Sequence, residues 1–73
     1  MKPNEIINNR INQILSATNK EELINYEYFA HGSAVTMWEL EIFTKQEHTE
    51  NYDRIVKAKK ERLAQLEKPV FKK

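Results

Sequence analysis

The sequence predicts an all-α fold, a small bundle of three or four helices, from three observations. Apolar residues recur at spacings of three and four along most of the chain, which is the period of one helix face. The 73 residues include one Gly and two Pro, too few for the many turns of a β-sandwich. Capping patterns precede several of the periodic segments. The length predicts a single domain over residues 1–73, with 69–73 as a short C-terminal tail.

The first helix is predicted over about residues 4–17. Pro3 is tolerated in a first turn and Asn4 is a good capping residue. A single apolar stripe then follows at helical spacing, formed by Ile7, Ile11, Ile14 and Leu15.

The second helix is predicted to begin near residue 20. Thr18 and Glu21 have the spacing of a capping box, and so do Asn19 and Glu22. Gly32 is the only glycine, and we expect it to end this helix as a left-handed cap.

Two further helices are predicted, over about residues 34–45 and 50–68. The polar stretch between them lacks apolar residues, so we expect a break near residues 45–50, with Thr49 capping the last helix. Pro69 ends that helix because proline cannot continue it.

An α+β fold is the alternative, with a β-hairpin at about residues 24–43 flanked by two helices. Aromatic and apolar residues alternate with other residues on both sides of the tripeptide His31–Ser33, which is the pattern of two strands and a turn. The capping pattern before residue 21 and the good helix formers around Glu39 favour the helix.

Several function classes are excluded or disfavoured by composition. The chain has no cysteine, so it has no disulfide, thiolate nucleophile or cysteine-bound zinc. No apolar run is long enough to span a bilayer, and the apolar stretch of a signal peptide is missing, so we expect a cytoplasmic protein without a membrane partner. His31 and His48 match no metal-binding motif, and no glycine-rich phosphate loop exists. We therefore expect no enzyme activity, no cofactor and no metal.

The segment 34–45 carries the main functional prediction. Apolar residues nearly encircle this predicted helix, and so short a chain has few other helices to cover all of them. Tryptophan on such a face is a frequent hot-spot residue in protein interfaces. The predicted partner-binding surface consists of Val35, Trp38, Glu39, Glu41, Ile42 and Phe43.

Charge predicts a second surface on the last helix. Residues 1–53 contain four basic and nine acidic residues, whereas residues 54–73 contain eight basic and two acidic ones. The secondary basic surface consists of Arg54, Lys57, Lys60 and Arg62, while Lys59 falls within the apolar arc and must extend its amine to solvent.

The expected function is a small non-catalytic protein–protein interaction module. It acts as an inhibitor, adaptor or regulator by occupying a surface of a larger protein or complex through an apolar helix face, and it also forms a homodimer. The alternative is a nucleic-acid-associated regulator that uses the basic C-terminal helix.

Overall fold

The computed structural model of the protein describes residues 2–67, which form three α-helices. These are α1 (Pro3–Leu15), α2 (Lys20–Glu39) and α3 (Lys45–Glu67). The all-α prediction is confirmed. No strand occurs between residues 2 and 67, and the segment 24–43 of the hairpin alternative forms most of α2 and its connection to α3. The predicted tail 69–73 lies outside the described residues.

The starts of α1 and α2 differ in how they are capped. Lys2 is the N-cap of α1 and makes no side-chain capping bond, and Pro3 follows it, so Asn4 lies inside the helix. At α2 the capping residue is Asn19, whose Oδ1 accepts a hydrogen bond of 2.8 Å from the Glu22 amide. The Asn19–Glu22 capping pattern is therefore confirmed.

The prediction that Gly32 ends the second helix is wrong. Gly32 lies inside α2 and does not have a positive φ. The helix continues because its buried face is uninterrupted on both sides of the glycine, with Ala30, Ala34 and Met37 all in the core. Packing of that face outweighs the weak helix propensity of one glycine. The separate helix predicted over 34–45 does not form: residues 34–39 are the end of α2, residues 40–44 are the connection, and Lys45 begins α3.

The true end of α2 is a Schellman motif formed without glycine. Glu41 has φ 62°, in the left-handed region that favours glycine. The amide of Ile42 donates to the carbonyl of Met37 at 2.8 Å, and the amide of Glu41 donates to that of Trp38 at 2.9 Å.

A capping box begins α3 earlier than predicted. The Glu47 amide donates to Thr44 Oγ1 at 3.1 Å, and the Thr44 amide donates to Glu47 Oε1 at 2.9 Å. Thr49 lies inside the helix, where its hydroxyl donates to the Lys45 carbonyl, so its predicted capping role is wrong. The non-helical connection between α2 and α3 therefore lies at residues 40–44 rather than 45–50.

The core lies between the three helices and, within residues 2–67, consists of ten buried apolar residues. Four of its residues are alanines, which allow the helix backbones to approach closely. Among residues 2–67, the large side chains that are fully buried are Ile7 and Ile14 of α1, Leu23 of α2 and Ile55 of α3. Met37 and Phe43 close the end of the core near the α2–α3 connection. A core this small leaves much of the apolar surface of α2 uncovered.

Candidate functional site

The outer face of α2 carries a line of exposed apolar side chains. Ile24, Tyr28, Val35 and Trp38 follow one another at intervals of four, seven and three residues, so they share one side of the helix. Their exposed fractions are 54%, 79%, 38% and 41%. The residue before three of them, Leu23, Ala34 or Met37, lies about 100° around the helix and is buried. Helix α2 is therefore apolar on two faces, and only one of them lies in the core.

Two ring contacts join this outer face to α3. Trp38 stacks on His48, with ring centroids 4.4 Å apart and planes 9° from parallel. His31 meets Tyr52 at a centroid distance of 5.1 Å and an angle of 35°. Tyr52 is itself half exposed. We call the combined patch the aromatic surface; it consists of Ile24, Tyr28, His31, Val35, Trp38, His48 and Tyr52.

Ion pairs fix α2 against α3 beside the aromatic surface. Glu27 lies 3.5 Å from His31 Nε2 and 3.5 Å from Lys59 Nζ, through its two carboxylate oxygens. Lys20 Nζ lies 2.8 Å from Glu67 Oε2 at the far end of the pair of helices. Each exposed pair contributes at most about 1 kcal/mol, so these bonds orient the helices more than they hold them together.

The charge around the aromatic surface is acidic. After Lys20, every charged residue of α2 is a glutamate, apart from the titratable His31. Glu21 and Glu39 are exposed, close to the two ends of the apolar line. At the start of the helix, hydrogen bonds from the backbone amide and the hydroxyl of Thr18 lower the pKa of Glu22 below its ordinary value. A partner for this face would complement it with apolar and basic groups.

The structure brings together some of the predicted partner-binding residues. Val35 and Trp38 lie one turn apart on the outer face, and Glu39 is exposed at the end of α2. Glu41 and Ile42 are exposed in the connection. Phe43 is buried in the core and takes no part in the exposed surface. Helical periodicity does not apply to these last three residues because α2 ends at Glu39.

Five members of the aromatic surface were not among the predicted site residues: Ile24, Tyr28, His31, His48 and Tyr52. The first two continue the spacing of Val35 and Trp38 toward the N-terminus. The sequence shows this common spacing only if one helix is assumed to continue across Gly32.

Two of the four residues of the predicted basic surface form hydrogen bonds to α1 or to the residues just after it. Arg54 donates to the side-chain oxygen of Asn8. Arg62 donates from Nε to the Ala17 carbonyl at 2.7 Å, just after the end of α1, where unpaired carbonyls attract a cation. Lys57 and Lys60 make no ion pair within residues 2–67 and are exposed. This arrangement leaves two of the four predicted basic residues without an intramolecular role in the described chain.

Residues 2–67 contain no cluster of three or more His, Asp or Glu side chains that could hold a metal ion. Within the same range, none of the helices combines the length and apolar character needed to cross a membrane. No protein family model, no curated protein and no solved structure matches the chain.

Proposed function

We propose that this protein is a non-catalytic interaction module that binds a larger protein through the aromatic surface, and thereby acts as an inhibitor, adaptor or regulator. One observation carries the proposal: four large apolar side chains on one side of α2 are 38–79% exposed. Monomeric proteins seldom expose large contiguous apolar patches unless another molecule covers them.

The composition of the surface resembles that of interface centres. Trp and Tyr dominate binding energies at protein interfaces because each buries a large area and loses few side-chain torsions. Trp38 is held in one orientation by its stack on His48, so little further ordering is needed on binding. The flanking carboxylates Glu21 and Glu39 favour a partner that presents an apolar ridge with basic residues at its ends.

The test is partner capture from the source cell with a double variant, Ile24→Gln/Val35→Gln. Both residues are exposed and glutamine is a good helix former, so the fold and its helical circular dichroism spectrum are expected to remain. Capture of the partner should fall by at least about tenfold. A Trp38→Ala variant should likewise weaken association more than it lowers helix content.

The matched control is Leu15→Gln, because Leu15 is 37% exposed, almost the same as Val35 at 38%, but lies on α1. This variant should capture the same proteins as the natural chain. If Leu15→Gln loses them equally, or if the double variant retains them, the aromatic surface is not the binding site.

Solution mass distinguishes a second copy of the chain from another protein. If the natural chain sediments as a dimer and the double variant as a monomer, the partner is a second copy. Nucleic-acid binding through Lys57 and Lys60 would instead appear as affinity that falls steeply with added salt and persists in the double variant.

A further inference from the structure

A second surface feature lies between α1 and α2, on the side of α2 away from α3. It is a groove of about 520 Å³, within the range of small-molecule sites. Ile6 and Arg10 line it from α1, one turn apart. Its wall from α2 includes two exposed aromatic rings, a glycine and one core residue, namely Tyr28, Phe29, Gly32 and Met37.

Gly32 has no role that the fold explains. It occupies a helix interior, where alanine is the more favourable residue, and its φ is not positive. A Cβ atom added to Gly32 would meet nothing within 4 Å, so no neighbour in the protein requires the glycine. That Cβ would project into the groove that Gly32 lines. The glycine therefore deepens the groove at the expense of helix stability.

Arg10 places a positive charge on the groove without a counter-ion. Its Nε donates to Ser33 Oγ at 3.2 Å and its Nη1 donates to Gln13 Oε1 at 3.3 Å. Its guanidinium carbon lies 5.9 Å from the centroid of the Phe29 ring. Within residues 2–67 Arg10 forms no ion pair. These neutral contacts hold the guanidinium in place and leave N–H groups for an anion.

We propose that the groove binds a small apolar carboxylate, an arylalkyl or medium-chain aliphatic acid. The apolar body lies over Gly32 beside Tyr28 and Phe29, and the carboxylate pairs with Arg10. A carboxylate is the chemistry that matches an unpaired, positioned guanidinium, because the two groups form paired charge-assisted hydrogen bonds. This site is separate from the aromatic surface, apart from Tyr28, which borders both.

The test is a titration of the ¹⁵N-labelled full chain with 4-phenylbutyrate, followed by amide chemical shifts. The uncharged amide of the same acid serves as the comparison ligand. We expect saturable shifts at Arg10, Phe29 and Gly32, with the amide binding at least about tenfold more weakly because it lacks the charge. In Arg10→Gln, acid and amide should bind with equal affinity. The control Arg54→Gln removes another arginine that donates to a neutral side chain, and it should leave the affinity unchanged.

A second variant tests the role of the glycine independently. Gly32→Ala should raise the melting temperature, since alanine favours the helix, while weakening 4-phenylbutyrate binding several-fold. Asn25→Ala, an alanine substitution at another exposed position of α2, should leave binding unchanged.

Three results would overturn the proposal. The first is an absence of saturable shifts at millimolar 4-phenylbutyrate. The second is equal binding of acid and amide by the natural chain, and the third is unchanged affinity in Gly32→Ala. None of these results bears on protein binding by the aromatic surface, which the Ile24→Gln/Val35→Gln variant tests separately.

Discussion

The two faces of α2 both carry apolar residues but differ in how far these are buried. The inner face packs into the core with Leu23, Ala30, Ala34 and Met37, half of which are alanine. The outer face presents Ile24, Tyr28, Val35 and Trp38, and all four are more than a third exposed. Small inner residues allow the helices to pack closely. The outer side chains leave 38–79% of their surface in solvent in the monomer, which points to a role outside it.

The largest expected effect is a difference in stability between variants of two adjacent residues of α2, one buried in the core and one on the exposed face. Leu23→Ala removes a fully buried side chain and should lower the free energy of unfolding by about 2–5 kcal/mol. Ile24→Ala should change it by no more than about 0.5 kcal/mol, because that side chain is half exposed. Urea unfolding monitored by circular dichroism measures both values.

Unfolding of the same two variants should also be measured at two protein concentrations, because this tests whether a second copy of the chain covers the outer face. If Ile24→Ala lowers the free energy of unfolding only at high protein concentration, a second copy covers the outer face, since dimer stability depends on concentration. If Ile24→Ala destabilises the protein as much as Leu23→Ala does at every concentration, the distinction between the two faces is wrong.

Much of the fold follows from the sequence because its causes are local. The stripe of α1 and the Asn19 cap each depend on residues within a few positions. Ile7 and Ile14 are buried as the stripe predicts and Ile11 is partly buried, whereas Leu15 is exposed. Asn19 accepts from the Glu22 amide as predicted. The Thr44–Glu47 capping box has the same spacing, but the lack of apolar residues in this stretch led to a predicted break near residues 45–50 with Thr49 as the cap.

The errors arise where non-local packing overrides a local preference. Gly32 ends no helix because the core holds α2 together on both sides of it. Glu41 takes the left-handed position that glycine usually fills, a choice that no propensity indicates. Phe43 follows that turn, so its burial depends on the direction of the turn and not on helical period. The candidate surface was therefore predicted at its C-terminal end on α2, Val35 and Trp38, and missed toward the N-terminus of α2 and on α3.

A smaller change in stability is expected for a substitution just after the C-terminus of α2. Glu41→Gly should raise the free energy of unfolding by about 1 kcal/mol, because it relieves the left-handed backbone of a residue with a Cβ atom. Chemical unfolding is the measurement, with Glu39→Gly as the control. Residue 39 is helical, so glycine there should lower stability by about 1 kcal/mol. Stabilisation by both changes, or by neither, would argue against the Schellman geometry.

The smallest effect concerns the start of α2 and depends on pH. Hydrogen bonds from the backbone and side chain of Thr18 lower the pKa of Glu22, so the folded state favours its charged form. The resulting stabilisation is fully present above the ordinary pKa of glutamate and is lost as the pH falls through the lowered value. Glu22→Gln should therefore lower the melting temperature at neutral pH and leave it nearly unchanged in strong acid. Glu21→Gln removes a carboxylate of the same turn but neither Thr18 bond, so its difference from the natural chain should vary less with pH. If the two variants differ from the natural chain by the same amount at every pH, the Thr18 contacts do not stabilise this end of the helix, and Asn19 alone caps it.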